Sequence, residues 1–383
     1  MLVALIPLYI TELDSSLFSK LPLVAKAGLA MTVFGLFSAL FQPFMGRLSD
    51  RLNVRKPFIL FGLVGYTLFS FLYAKVKSYE ALLFLRLLQG ITVGATIPAV
   101  IAMVTQISTP DTRGKSVGIY TTIRGVAFGL GPLLGGAIAG SYGFDSGFYC
   151  CALLGIVSFL LVKLFVKETS GKRDERRKEV NEKIGTGSIY SLAGALLMMM
   201  VGIMMVVALL PEYEIRLEAS EFALGAAVSA YVFARLLFQA PLGSLSDKIG
   251  RKKLIIGGLF LSGPIVIGMG YVTSVHQLIF ARALQGLFVA AIETPAMALA
   301  ADLSEGSALG SKLSIITTAQ AAGMAFGPIF GGLLAGYVSF TTPFYACAIL
   351  MGLAGLVVIK KVEEPEKEKT ELTLRENGAA LKN

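Results

Sequence analysis

The sequence has no tryptophan, a single histidine, three cysteines and only 15% charged residues among 383 positions. Each shortage excludes something. Two cysteines are adjacent (Cys150, Cys151) and the third, Cys347, lies in another apolar run, which gives neither a disulfide framework nor metal-ligand spacing. The lone His276 sits in a short break between apolar runs with no Cys, His or Asp cluster around it. No phosphate-cradling P-loop or nucleophile elbow occurs, so the chain does not read as an enzyme and calls for no cofactor. So few charges cannot coat a soluble fold of this size, in which roughly a quarter of residues are charged. What the chain does have is 55% hydrophobic residues, 42 glycines and a mean hydropathy of +0.73, the composition of a membrane protein.

A hydrocarbon core of about 30 Å needs roughly 20 apolar residues per helix. Eleven runs qualify, at 27–45, 57–74, 80–104, 117–139, 147–166, 188–211, 223–242, 254–272, 278–300, 315–337 and 343–360. They are too long and too rich in glycine for the alternating strands of an outer-membrane barrel. Residues 1–12 are too short to span and lack the charged start and small-residue cleavage site of a signal peptide. Because VALIPLYITEL (3–13) matches VALLPEYEIRL (207–217) at the far end of a complete span, the opening segment reads as the outer half of a helix, with about fifteen residues expected before Met1.

The net charge of +9 and pI near 9.3 raise nucleic acid as a partner, and the placement of the charges removes it. Of the 34 Lys and Arg, 25 fall on one face of the spans, five on the other and four inside. The basic face, which includes Arg113 and Lys115, is expected in the cytoplasm together with the C-terminus.

The chain also repeats itself at an offset of 196 or 197 residues. The segment 27–50 aligns with 223–247 around shared FQ and LSD strings, RLLQG (86–90) with RALQG (282–286), GPLLGG (131–136) with GPIFGG (327–332), and GFYCCALLG (147–155) with PFYACAILMG (343–352). The expected fold is therefore an all-α membrane protein of two six-helix bundles in parallel pseudo-repeat around a central cavity, with the first helix truncated. Its parts are an N-terminal bundle (1–166), a charged cytoplasmic linker (167–187), a C-terminal bundle (188–360) and a cytoplasmic tail (361–383). Parallel halves enclosing a midplane site suit a transporter that rocks between two openings.

Two loops repeat a motif, GRLSDRLNVRK (46–56) and GSLSDKIGRKK (243–253). Gly46 and Gly243 permit close helix approach; Asp50 and Asp247 place a carboxylate at a helix end; Arg51, Arg55, Lys248, Arg251 and Lys252 anchor the turn at the membrane surface. Positive-inside anchoring accounts for the basic residues but not for the repeated Asp, which reads as a conformational latch. The motif resembles the G-x-x-x-D-[RK]-x-G-[RK]-[RK] signature of the major facilitator superfamily, departing from it in the first copy at Asn53, where Gly is usual, and Val54, where a basic residue is usual. Asn still tolerates a left-handed turn. RLLQG resembles the superfamily's R-x-x-Q-G. Gly118 with Gly131, Pro132, Gly135 and Gly136 resembles its antiporter motif, with Ala127 in place of one Gly. In the second half Gly323, Gly327, Pro328, Gly331 and Gly332 repeat it, with Ser314 in place of the outer Gly. The resemblance implies a monomeric secondary transporter of the drug-efflux branch, with a small-molecule substrate, a proton gradient as energy source and Arg86 implicated in proton coupling.

Gly323, Gly327 and Gly331, four apart, make a smooth helix face suited to packing, with the seam between the halves as one possible place. The run Met198, Met199, Met200, Met204 and Met205 reads as lipid-facing or packed filler more readily than as a soft ligand surface. Five ionisable residues lie inside spans: Arg86 and Arg282, related by the repeat, and Arg124, Arg235 and Glu293, which are not duplicated. Each needs a partner or a wet cavity. Counting about 1.5 Å per residue from the basic face puts the last three at a common depth, where they are able to meet. Glu293, opposite Ile97 in the repeat, is a proton carrier, a counter-charge for a cationic substrate, or a fixed partner of Arg235. Gln42 and Gln239 are matched across the repeat and read as cavity-lining or helix-bridging. Three functions fit: proton-coupled export of amphipathic compounds, proton-coupled uptake of an organic anion or sugar, and a receptor or scaffold that moves nothing.

Overall fold

The structure, a computed structural model, describes residues 1–108, 113–168, 186–303 and 309–364. The linker expected over 167–187 and the tail expected after 361 lie almost wholly outside these residues, and the side chains of Arg113 and Lys115 are outside them too. Among the described residues the chain is helical, and eleven helices are long and apolar enough to cross a membrane. In order they are α1 (Leu2–Tyr9, followed by one 3-10 turn), α2 (Leu23–Leu52), α3 (Lys56–Tyr73), α4 (Tyr79–Gln106), α5 (Arg113–Tyr142), α6 (Phe144–Phe165), α7 (Thr186–Val207), α8 (Leu210–Leu217), α9 (Glu221–Ile249), α10 (Arg251–Met269), α11 (Val275–Asp302), α12 (Leu309–Tyr337) and α13 (Thr342–Lys361). Several starts carry their own cap: the hydroxyls of Ser78, Ser220 and Ser274 accept from the amides of Ala81, Ala223 and Gln277, tying up one free N–H at each helix entry.

The helices sort by how much of their surface the protein covers. α7 has 61% of its apolar stretch buried and α6 only 22%, so α7 sits centrally while α6 turns Leu161, Leu164 and Phe165 outward, where hydrocarbon solvates them. Within the first half α2 packs on α4, and α3 on α4 and α6. Within the second, α9 packs on α11, and α10 on α11 and α13, the same plan again. The halves meet chiefly through two helix pairs, α2 with α12 and α5 with α9, with smaller contacts of α1 and α2 on α8 and of α1 on α9.

Two aromatic cages confirm the match between the chain start and residues 207–217. Tyr9 donates to the Val76 carbonyl at 2.8 Å and packs edge-on against Phe148, with Phe144 beside it. Tyr213 donates to the Met269 carbonyl at 2.8 Å and packs against Phe340 and Phe344. Phe144 and Phe148 precede Phe340 and Phe344 by the repeat offset. α1 therefore holds the place in its half that α8 holds in the other.

Where the halves touch decides which way the molecule opens. At the sparsely charged end a side chain at Gly28 would strike the Pro328 carbonyl, one at Gly332 the Val24 carbonyl, one at Gly136 the Glu221 carbonyl and one at Gly225 the Pro132 carbonyl. The Thr32 hydroxyl there accepts from the Ile329 amide at 3.1 Å. Among the described residues, glycine contacts between the halves reach no nearer the basic end than Gly125 against Leu236, and at Gly118 nothing lies within 4 Å. The seam is shut at the sparsely charged end and parted at the basic one.

Candidate functional site

Midway along α9 and α11 the structure brings Arg235 and Glu293 together, with Arg235 Nη2 at 2.9 Å from Glu293 Oε2. Gln320 on α12 donates to the other oxygen at 3.4 Å, so three helices of the second half converge on one carboxylate. Glu293 is buried at 8% exposure, whereas 38% of the Arg235 side chain is accessible, which gives the pair one buried and one accessible member. The repeat places Ser38 and Ile97 at the corresponding positions of the first half, where no such pair exists.

Arg124 does not join them. Its guanidinium lies over the Phe128 ring of its own helix, 5.9 Å from the centroid. Residue counting fixes depth along a helix but not the direction in which a side chain leaves it, so three groups at one level resolve into a pair and a separate cation on α5. Gln42 donates to Ser38 Oγ on its own helix at 3.3 Å, and Gln239 is exposed on α9; among the described contacts neither bridges two helices.

Arg86 is buried on α4 and fully engaged. It donates to Gln89 Oε1 at 2.9 Å, to the Ala30 carbonyl at 3.3 Å and to the Met31 sulfur at 3.4 Å, and it stacks 4.4 Å from the Phe34 centroid. Tyr73 donates to the same Gln89 oxygen at 2.9 Å. Arg282 repeats the core of this, donating to Gln285 Oε1 at 3.0 Å. The R-x-x-Q spacing, i and i+3 on one helix face, is what lets Gln accept from its own Arg.

At the basic end the two repeated loops form matching clusters. Arg55 bonds Asp50 at 2.6 Å and Ser49 at 2.5 Å; Arg251 bonds Asp247 at 3.3 Å and also pairs with Asp302 at the end of α11. Glu168 accepts from the amides of Arg55 and Lys56, Glu364 from the amide of Arg251, and Lys56 and Lys252 donate to the carbonyls of Lys163 and Ile359. Both carboxylates thus sit at a helix N-terminus, where free N–H groups and the helix dipole favour negative charge. The contacts equate Arg55, not Val54, with Arg251. Val54 is an extra residue that follows Asn53, which takes the left-handed φ of 53° where the second copy has Gly250 at 105°. The first copy therefore keeps its basic residue and gains one position. Arg51 and Lys248 remain exposed. Glu168, Glu364, Asp302 and Gln320 escaped the sequence reading because each lies far along the chain from the motif it completes.

The glycine motifs divide between two jobs. Gly323, Gly327 and Gly331 receive Met200, Met204 and Met205 of α7, so this face packs inside the second half and not at the seam. The methionines are accordingly packed filler. Gly131 and Gly135 play the same part in the first half, against Met1 and, on α1, Leu5. The seam uses the next residues round the helix, Pro132 with Gly136 and Pro328 with Gly332. At the helix ends Gly46 lies against Pro98 and Gly243 against Thr294, the close approach within each half that the motif anticipates.

A sequence profile described as the Major Facilitator Superfamily matches residues 1–215 and again 191–382. The uncharacterized MFS-type transporter YuxJ of Bacillus subtilis (strain 168) is 28% identical over 376 residues, covering 95% of each chain. The multidrug resistance protein MdtG of Salmonella paratyphi C is 28% identical over 352 residues, covering 90% of this chain and 86% of its own. Among solved structures, a bacterial homolog of the human lysosomal transporter Spinster, in an inward-facing and occupied conformation, superposes with a TM-score of 0.74 at 17% identity over 94% and 91% of the two chains. The human organic anion transporter MFSD10 gives 0.64 at 19% identity over 86% and 83%.

Proposed function

The chain belongs to the Major Facilitator Superfamily, and from that premise we propose that it exports small amphipathic compounds across the cell membrane in exchange for protons, by alternating access. The observation that carries this reading is the Arg235–Glu293 pair, the one buried carboxylate between described spans, held by a cation whose side chain is itself 38% accessible. The basic loops face the cytoplasm in this reading, so the cleft that is parted at the basic end opens inward.

In this scheme the carboxylate of Glu293, without its proton, is held by Arg235 while the cleft opens inward. An exporter needs that arrangement when it faces the cytoplasm, because the proton must leave there before substrate is taken on. Substrate entering between the parted ends meets the exposed part of Arg235. After the halves rock and the other end opens, a proton arriving on Glu293 releases Arg235, and the return stroke carries the proton in. The similarity to a multidrug resistance protein favours export over uptake. Arg86 and Arg282, each tied to its own Gln, serve as fixed braces in this scheme rather than as carriers.

The test is Glu293→Gln in proteoliposomes loaded with an amphipathic dye. Dye accumulation driven by a pH gradient is expected to fall at least tenfold, while dye-for-dye exchange without a gradient persists. Gradient-driven accumulation at the wild-type rate overturns the coupling role of Glu293.

A further inference from the structure

The five basic residues at the sparsely charged end are not spread evenly. Lys75 and Lys77 stand two apart in the turn between α3 and α4, and beneath them runs a groove of about 320 Å³ lined by Leu72, Val76, Phe84 and Leu85 as well as the two lysines. That is about ten water volumes. Both lysines are exposed and Phe84 is 60% exposed on the lipid-facing side, so the groove is open where the bilayer surface meets it. Lys75 also stands over the Tyr149 ring at 5.6 Å. The Tyr149 hydroxyl beside it raises the ammonium above its ordinary range.

The second half supplies an internal contrast. The repeat puts Tyr271 and Thr273 where Lys75 and Lys77 stand, while Phe280 and Tyr345 correspond to Phe84 and Tyr149. The aromatic surroundings are thus shared by both halves and the paired positive charge is not. Lys75 meets Tyr149 where Tyr271 meets Tyr345 in the other half, a contact that a neutral residue makes equally, and charge-biased insertion disfavours two lysines on this face.

We propose that this groove binds one anionic phospholipid, its phosphate between Lys75 and Lys77 and an acyl chain lying along Leu72, Phe84 and Leu85. The ammonium groups supply the charge complement and the apolar floor supplies the chain contact, and neither a neutral lipid nor a free anion satisfies both. The site stands on the outside of the bundle, remote from the Arg235–Glu293 pair, and does not depend on the transport reading.

Native mass spectrometry of the delipidated full-length protein tests it, titrating phosphatidylglycerol, phosphatidylcholine and inorganic phosphate separately. One phosphatidylglycerol is expected to bind in preference to phosphatidylcholine. Lys75→Gln with Lys77→Gln weakens it roughly thirtyfold and either change alone roughly fivefold. Lys75→Arg with Lys77→Arg keeps the charge and retains binding, and Lys20→Gln, on the same face outside the groove, changes nothing. The proposal fails if the double Gln variant binds phosphatidylglycerol like the wild type, if Lys20→Gln costs as much, or if inorganic phosphate binds as tightly as the lipid.

Discussion

The two halves are built on one plan and differ where a transporter would do its work. Shared between them are Arg86 with Gln89 and Arg282 with Gln285, the Tyr9 and Tyr213 cages, the seam glycines, and carboxylates at Glu168 and Glu364 capping the same helix start. Unshared is the ion pair: Arg235 and Glu293 in the second half, Ser38 and Ile97 in the first. Duplication gave both halves what the scaffold needs, and a buried pair that costs desolvation survives in only one of them. The symmetric features are accordingly read as architecture and the asymmetric one as chemistry.

The largest effect is expected from erasing that asymmetry one residue at a time. Arg235→Ser leaves Glu293 buried without its cation, which costs about 2–3 kcal/mol, less than a fully buried pair because Arg235 is partly exposed. Adding Glu293→Ile, so that the second half carries the residues of the first, restores most of the loss, since replacing a buried pair by neutral residues is often neutral. Apparent melting temperatures in detergent measure both, and coupled flux stays absent in the double variant. If the double is less stable than the single, the pair is architecture after all.

A middling effect is expected at the seam, where the halves are alike. Gly136→Val and Gly332→Val each push a side chain into a backbone carbonyl of the opposite half. Overpacking of this kind costs about 1–3 kcal/mol, and here it falls only on the state in which the sparsely charged end is shut. Spin labels across that end are expected to report a shift to longer distances, by the same amount in both variants. Gly118→Val, placed in open space, leaves the distances unchanged. A shift in one seam variant only would mean that the two helix pairs do not close together.

Much of this arrangement was legible in the sequence because membrane helices write their length, their repeat and their charge bias plainly. The depth count brought Arg235 and Glu293 to one level. What it missed are quantities set by rotation about a helix axis or by distant chain segments. Arg124 shares the level and points elsewhere. Gly323, Gly327 and Gly331 form the smooth face expected of them, but only the packed structure assigns it to Met200, Met204 and Met205 while its neighbour Gly332 turns to the other half. Val54 reads as a lost basic residue until the contacts of Arg55 reveal an insertion. The capping carboxylates Glu168 and Glu364 lie 112 or 113 residues from the amides they accept from, and no local motif announces them.

The smallest effect is expected at the basic end, where the halves are alike in plan and unequal in detail. Arg251 holds two carboxylates, Asp247 and Asp302, whereas the position matching Asp302 in the first half is the neutral Gln106. Asp302→Asn removes one charge-assisted contact from a partly exposed site and should cost about 1 kcal/mol. Gln106→Asn, which leaves the charge unaltered, should cost less. Glu168→Gln and Glu364→Gln should resemble each other more than the first pair does, since both caps accept the same amide at the same helix start. Melting temperatures at low and high salt separate the cases. Screening should shrink the Asp302 effect and leave the Gln106 effect where it was. An Asp302 effect indifferent to salt would reduce the second cluster to hydrogen bonding, and with it the difference between the two clusters.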